Sequence, residues 1–220
     1  GPTPIPPEIQ EAMGHQMFDH RSPAFAALIA RVTENLQRFF QTQNDLLLLT
    51  ASGTGGMEAA VVNLFSPGDH ILAVSIGVFG DRFAEVAATY GAQVHRLEVE
   101  WGRAADPASV REALRRDPQI TAVLVTHNET STGVTNDLEA IAREVKNAGK
   151  LLVVDAISSL GSIPLSVDAW DCDVVVSGSQ KGWMVPPGLA MISVSPRAWA
   201  AHQSARMPRY YFDITRARDY

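Results

Sequence analysis

The sequence predicts an α/β protein whose mostly parallel sheet is buried on both faces. Three observations carry that reading. Short, continuously apolar runs such as AVLVTH, LLVVDA and DVVVSG recur along the chain, amphipathic stretches at helical spacing separate them, and no internal repeat or low-complexity tract divides the 220 residues. A strand with one wet face alternates apolar and polar residues. A strand apolar throughout is covered on both sides, as when helices cross over a parallel sheet.

The elements follow in order. The opening GPTPIPP holds four prolines and predicts an extended arm, taken as residues 1–22 ahead of a large domain over 23–220. Ser22–Pro23 is a cap and first-turn pair, and Phe25, Leu28, Ile29, Val32, Leu36, Phe39 and Phe40 recur at helical spacing behind it. Strand LLLLTAS comes next, then a helix from Gly56 to Phe65, strand HILAVS, a helix from Asp81 to Tyr90, strand QVHRLEVE and a helix from Pro107 to Arg116 capped by Asp106. AVLVTH, a helix from Asp137 to Ala148 closed by Gly149, LLVVDA, DVVVSG and LAMISVS complete the pattern. The final RMPRYYFDITRARDY is too short for a further domain.

A net charge of −6, with no basic stripe, argues against nucleic acid or an anionic membrane as partner. The longest apolar runs, such as LLLL, fall far short of a membrane span. The one cysteine, Cys172, has no internal disulfide partner and reads as a small packing residue; with the acidic charge, it points to a cytoplasmic protein.

In open parallel sheets ligands bind beyond the carboxyl ends of the strands, and four such segments stand out. SGTGGMEAA sets Ser52, Gly53, Thr54, Gly55 and Gly56 before a helix, where free N–H groups and a positive helix terminus suit an anion. Its glycines miss the dinucleotide spacing G-x-G-x-x-G, because Glu58 fills the third place. TAVLVTHNETSTGV ends in a polar cluster that includes His127, read as structural. LLVVDA delivers Asp155 after four apolar residues, where a carboxylate needs a cation or hydrogen bonds. DVVVSGSQKG delivers Lys181 into a frame of small residues; partial burial would turn that amine into a nucleophile.

Each feature alone has a plain structural reading: a tight turn, an ion pair, a solvated lysine. Together they supply what pyridoxal 5'-phosphate needs from a protein, namely a lysine for the aldehyde, a carboxylate for the pyridine nitrogen and a helix end for the phosphate. No G-x-S-x-G, S-x-x-K or H-E-x-x-H pattern competes.

SGTGGMEAAV, THNETSTGV, LLVVDAISSLGSIPL and SGSQKGWMVPPGLAMISVS resemble the class V aminotransferases of fold type I, in particular the alanine– and serine–glyoxylate (or pyruvate) branch. GPTPIPPEI and YYFDI extend the likeness over the whole chain. The resemblance implies the large domain of that fold with a seven-stranded-type sheet. It also implies that Lys181 forms the Schiff base, Gln180 contacts the cofactor, Asp155 pairs with the pyridine nitrogen and Ile157 packs on the ring. Thr54, Gly55, Gly56 and Ser179 would hold the phosphate, Thr130 would bond the phenolic-oxygen side, and Phe79, on a loop between strand and helix, would stack on the pyridine. No metal is implied.

The likeness further implies a homodimer and a ping-pong transfer from a small amino acid to a 2-oxo acid. It implies as well a C-terminal small domain, with the arginine that grips the substrate carboxylate, which this chain does not include. Two alternatives stay open on the residues: a cysteine desulfurase or other lyase of the same fold, disfavoured by Gln180 where desulfurases carry histidine, and a dimerisation module that turns nothing over. His15, His20 and Arg21 read as exposed polar residues, and Arg206, Arg209, Arg216 and Arg218 as a solvated face.

Overall fold

The computed structural model describes residues 1–219. In chain order the elements are α1 (Pro7–Met13), α2 (Pro23–Phe40), β1 (Asp45–Ala51), α3 (Gly53–Leu64), β2 (His70–Ser75), α4 (Val78–Thr89), β3 (Gln93–Glu98), α5 (Pro107–Arg116), β4 (Ile120–Thr126), β5 (Asn128–Glu129), β6 (Val134–Thr135), α6 (Leu138–Asn147), β7 (Leu151–Asp155), β8 (Val174–Gly178), β9 (Gly188–Val194), α7 (Pro196–Ser204) and α8 (Ile214–Asp219).

Seven strands form one sheet in the order β1-β9-β8-β7-β4-β2-β3. The β2–β3, β2–β4, β4–β7 and β7–β8 pairs are parallel, and β9 runs antiparallel to both β1 and β8. Two antiparallel pairings in succession return β1 to the sense of β8. The carboxyl ends of β1, β2, β4, β7 and β8 therefore gather along one edge.

The apolar strands are buried on both faces, as their sequence requires. Ile71 and Ala73, Ala122 and Leu124, and Val174 and Val176 face a core shared with Met57 and Val61 of α3, Phe83 and Ala87 of α4 and Ala198 of α7. The alternate residues Leu72 and Val74, Val123 and Val125, and Val175 face Val110 and Leu114 of α5, Ile141 and Val145 of α6, and Phe40. Period-two alternation thus feeds two cores from one run of apolar residues.

Several boundaries differ from the sequence expectation. The arm is not extended throughout: Pro7 takes the first helical position of α1, where its missing N–H costs nothing. The Gly-rich segment is the first turn of α3 and not the loop before it, with Ser52 as the cap. Glycine is a poor helix former, but here close packing demands it. A Cβ on Gly53 would stand 2.5 Å from Ile157 Cδ1, and one on Gly56 would stand 2.6 Å from Val176 Cγ1. Helix α4 begins at Val78, three residues before the expected Asp81. Helix α7 and the short β5–β6 hairpin were not anticipated. α7 nevertheless carries the same Ser–Pro signature as α2, with Ser195 accepting from Ala198 N–H at 3.0 Å.

The C-terminal stretch packs back on the domain. Asn63, fully buried, donates to Phe212 O at 2.5 Å and accepts from Ile214 N–H at 3.2 Å. Arg209 is not on a solvated face as expected: it is largely buried and donates to the carbonyls of Val62, Ala205 and Met207.

Candidate active site

Asp155 ends β7 and is 3% exposed. Its Oδ1 accepts from Ile157 N–H at 2.9 Å, and its Oδ2 has only the Thr126 hydroxyl at 3.4 Å. Burial pushes this carboxyl up to about 6; the Ile157 bond opposes, the nearby Glu129 charge adds to the rise, and Thr126 and Lys181 pull it down. A carboxylate taken out of water with so few partners is held ready for a cation.

Lys181 is half-buried in the turn that follows β8. The N-terminal arm lies over this turn, with Thr3 N–H donating to Gln180 O at 3.0 Å and its hydroxyl to Lys181 O at 2.9 Å. Gln180 Oε1 is buried without a hydrogen-bond partner among the described residues. Such an acceptor is costly unless a ligand meets it. Small residues close around it: a Cβ on Gly178 would stand 3.1 Å from Gln180 Oε1, 3.4 Å from Ile157 Cγ2 and 3.6 Å from Gly53 Cα. Gly53, Ile157, Gly178 and Gln180 therefore converge.

The open end of α3 forms the anion side. Ser52 Oγ takes the N–H of Gly55 at 3.3 Å, and the first N–H groups of the helix have no carbonyl one turn earlier to bond. Arg82, which sequence reasoning missed, reaches Thr54 Oγ1 at 3.5 Å and places its guanidinium 4.8 Å from the centre of the Phe79 ring. Phe79 lies in the first turn of α4 and not on a loop. The missed signal was an arginine one turn into a helix that starts at a strand end.

Glu129 was also missed. It is fully buried, accepts from Phe79 and Gly80 N–H at 3.0 and 3.1 Å, and accepts from Ser131 N–H and hydroxyl at 3.0 and 2.7 Å. It caps α4 from a hairpin about fifty positions away. His127 is buried, has Nδ1 3.0 Å from Ser159 Oγ, and is kept neutral by burial, which lowers it to about 4.

Two further expected residues lie in the turns beside these groups. Thr130 is exposed at the turn of the hairpin. The Ser179 hydroxyl donates to Pro186 O at 2.6 Å and accepts from Leu189 N–H at 3.2 Å, which closes the loop that carries Lys181. A concavity of about 380 Å³ lined by Gln37, Thr42 and Asp168 lies at the other end of β1, away from these residues.

The sequence profile described as aminotransferase class-V matches residues 8–207. This chain belongs to the class-V aminotransferases. That family depends on pyridoxal phosphate, and the partnerless Gln180 oxygen, the under-bonded Asp155 and the glycine-lined wall fit such a group.

Among relatives, the chain is 46% identical to a protein named soluble hydrogenase, small subunit, of a Synechococcus strain, covering 99% of this chain and 58% of that protein. It is 41% identical to the L-aspartate–glyoxylate aminotransferase of Paracoccus denitrificans, covering 97% and 55%. The crystal structure of an alanine–glyoxylate aminotransferase from Nostoc sp. superposes with a TM-score of 0.96 at 34% identity, over 100% of this chain and 59% of that one. The chain spans a little over half the length of these relatives. A cysteine desulfurase from Thermococcus onnurineus, 18% identical with a TM-score of 0.75, shares the fold alone.

Proposed function

We propose that the protein carrying this chain is a transaminase that uses pyridoxal phosphate to move an amino group from a small amino acid, alanine or serine, to glyoxylate or pyruvate. The observation that carries this reading is Asp155, a buried carboxylate raised to about 6 with one oxygen almost unbonded, on the strand end next to the one that delivers Lys181. The cofactor, when bound, supplies an electron sink that stabilises a carbanion at the substrate α-carbon.

The chain's residues do the rest. Lys181 would hold the cofactor's aldehyde end, and its free Nζ would take the proton from the donor's α-carbon in one half-reaction and deliver a proton to the α-carbon formed from the acceptor in the other. Asp155 Oδ2 would accept from the cofactor's ring nitrogen and keep that nitrogen protonated. Gln180 Oε1 would give the cofactor an acceptor, Ile157 would pack on its ring with Gly53 and Gly178 leaving room, and Phe79 would stack from α4. Thr54, Gly55 and Gly56 at the start of α3 would hold the phosphate, with Arg82 adding positive charge. Glyoxylate as acceptor is supported by the two aminotransferases named above. The hydrogenase name draws no support from these side chains, because the one cysteine, Cys172, is buried just before β8 at the opposite end of the sheet and burial pushes its thiol up.

The same reading includes a homodimer in the cytoplasm. Phe18, Phe39, Tyr210 and Tyr211 are large, exposed side chains that a second copy could cover, and light scattering measures the mass directly. No helix among the described residues is long and apolar enough to cross a membrane.

The activity test is a 2-oxo acid product assay on the full-length protein, with alanine, serine and aspartate as donors to glyoxylate and pyruvate. Product from at least one pair, together with loss of the cofactor's visible-edge absorbance in Lys181→Ala, is expected. Absence of product with every donor would remove the transaminase reading, and retention of that absorbance in Lys181→Ala would remove Lys181 from its role.

A further inference from the structure

At the opposite edge of the sheet, where the parallel strands begin, three ligand-type side chains converge. His70 opens β2, His95 lies on the edge strand β3, and Asp117 caps the carboxyl end of α5. The β2–β3 register pairs His70 with Gln93 and Leu72 with His95. His70 and His95 are therefore diagonal neighbours on one face, the face that α5 covers through Val110 and Leu114.

His95 Nε2 lies 3.0 Å from His70 Nδ1, and Asp117 Oδ2 lies 3.3 Å from His70 Nδ1 and 3.4 Å from His95 Nε2. The two imidazoles stack with centroids 5.0 Å apart. Asp117 Oδ1 accepts from Gln119 N–H at 2.9 Å, which fixes the carboxylate with Oδ2 turned to the histidines.

Protons satisfy this triangle only with crowding. A neutral imidazole nitrogen carries either one hydrogen or one lone pair, and an ionised carboxylate only accepts. If both facing nitrogens carry hydrogens, both donate to Asp117 Oδ2 and stand close together across the 3.0 Å edge. If one does, it can point at only one of its two partners. A cation at the centre would lie within bonding reach of all three donor atoms at once. Zinc–nitrogen and zinc–oxygen bonds of about 2.0–2.2 Å give a tetrahedral sphere edges of about 3.3–3.6 Å; the two Asp117 edges, 3.3 and 3.4 Å, fall in that range and the 3.0 Å histidine edge lies just below it.

We propose that His70, His95 and Asp117 form a binding site for one divalent transition-metal ion of the zinc class, with its fourth position open to water. The donor set of two imidazoles and a carboxylate suits that class and not calcium or magnesium, which take oxygen ligands. The half-buried setting of all three groups leaves an entry path. The ion would tie the edge strand and the end of α5 to β2, far from Lys181, so its role is to brace the sheet.

The test uses full-length protein stripped with a chelator and titrated with Zn2+ by calorimetry and with Co2+ by visible absorption. Expected are one equivalent bound, the intense d–d bands of low-coordinate Co2+, and a rise in thermal midpoint on adding Zn2+. His95→Gln, on an exposed edge, and Asp117→Asn should each weaken binding by more than about 10-fold and lose the thermal rise, with folding checked by circular dichroism. The double variant His15→Gln/His20→Gln, which alters the exposed histidines of the arm, should bind as the parent does. Binding only at millimolar Zn2+, unchanged binding in a folded His95→Gln, or loss of binding in the arm variant would each overturn the assignment. None of these readouts depends on turnover.

Discussion

Replacing Asp155 by Asn removes a buried charge while keeping an acceptor for the Ile157 N–H. Burial raises this carboxyl from 3.8 to about 6, so the folded chain holds the proton more tightly than the unfolded chain does. Between about pH 4 and pH 6 the folded state carries the extra proton, and stability falls as pH rises through that window, then stays level above it. At about 1.4 kcal/mol per pH unit, the ionised carboxylate costs the cofactor-free protein about 3 kcal/mol at neutral pH. Urea unfolding followed by tryptophan fluorescence, run from pH 4 to pH 8 on wild type and Asp155→Asn, should give nearly equal stabilities at the acid end. The variant should lead by about 3 kcal/mol at pH 7 and above. Saturating pyridoxal phosphate should reverse the order, because binding stabilises the state with the better ligand contacts. A difference that is constant with pH, or a wild type that gains on the variant between pH 4 and pH 6 without cofactor, would refute the reasoning.

Three further substitutions probe the frame around that carboxylate. Gly53→Ala pushes a methyl group to 2.5 Å from Ile157 Cδ1 and should cost about 1–3 kcal/mol in thermal or urea unfolding, while displacing Ile157 and weakening pyridoxal phosphate binding in a fluorescence titration. Glu129→Gln removes the charge that caps Phe79 and Gly80 and should cost about 2–3 kcal/mol; because the Glu129 charge also raises Asp155, the pH window above should move down in this background. Ser179→Ala should cost about 1 kcal/mol through the loop bonds to Pro186 and Leu189 and leave competition by inorganic phosphate unchanged. A marked loss of phosphate affinity would return Ser179 to the phosphate site.

The strands and the α5 and α6 helices were legible because their causes are local. Asp106 and Asp137 cap helices that begin one residue later, and the apolar runs state their own burial. The starts of α3 and α4 were misplaced because their causes are distant. α3 admits glycines against propensity since Ile157, Val176 and Ala51 crowd its first turns. α4 starts early because Glu129, on another element, bonds its first N–H groups. The same split runs through the site. Asp155, Lys181 and the glycine segment announce themselves by chemical type at strand ends, whereas Arg82 and Glu129 are ordinary in sequence and acquire meaning only from what they touch. Ser179 is named by the sequence motif, and the fold adds a part the motif does not announce, the closing of its own loop through Pro186 and Leu189.

The two buried carboxylates at the strand ends separate structure from ligand binding. Glu129 and Asp155 are both out of solvent, so burial alone cannot tell their roles apart. Glu129 accepts four hydrogen bonds of 2.7–3.1 Å from backbone and serine donors. With that many donors its charge is answered inside the chain. Asp155 accepts one firm bond and one at the edge of bonding distance, and it is Asp155 whose proton burial holds to about 6. A folded chain that leaves one of two neighbouring acids under-bonded, on the strand next to the one that delivers Lys181 and close to the Gln180 acceptor, has left room for a ligand that brings its own N–H. The pH dependence of cofactor affinity tests this directly: affinity should fall below about pH 6 as Asp155 takes up a proton, and Asp155→Asn should flatten that dependence while weakening binding throughout.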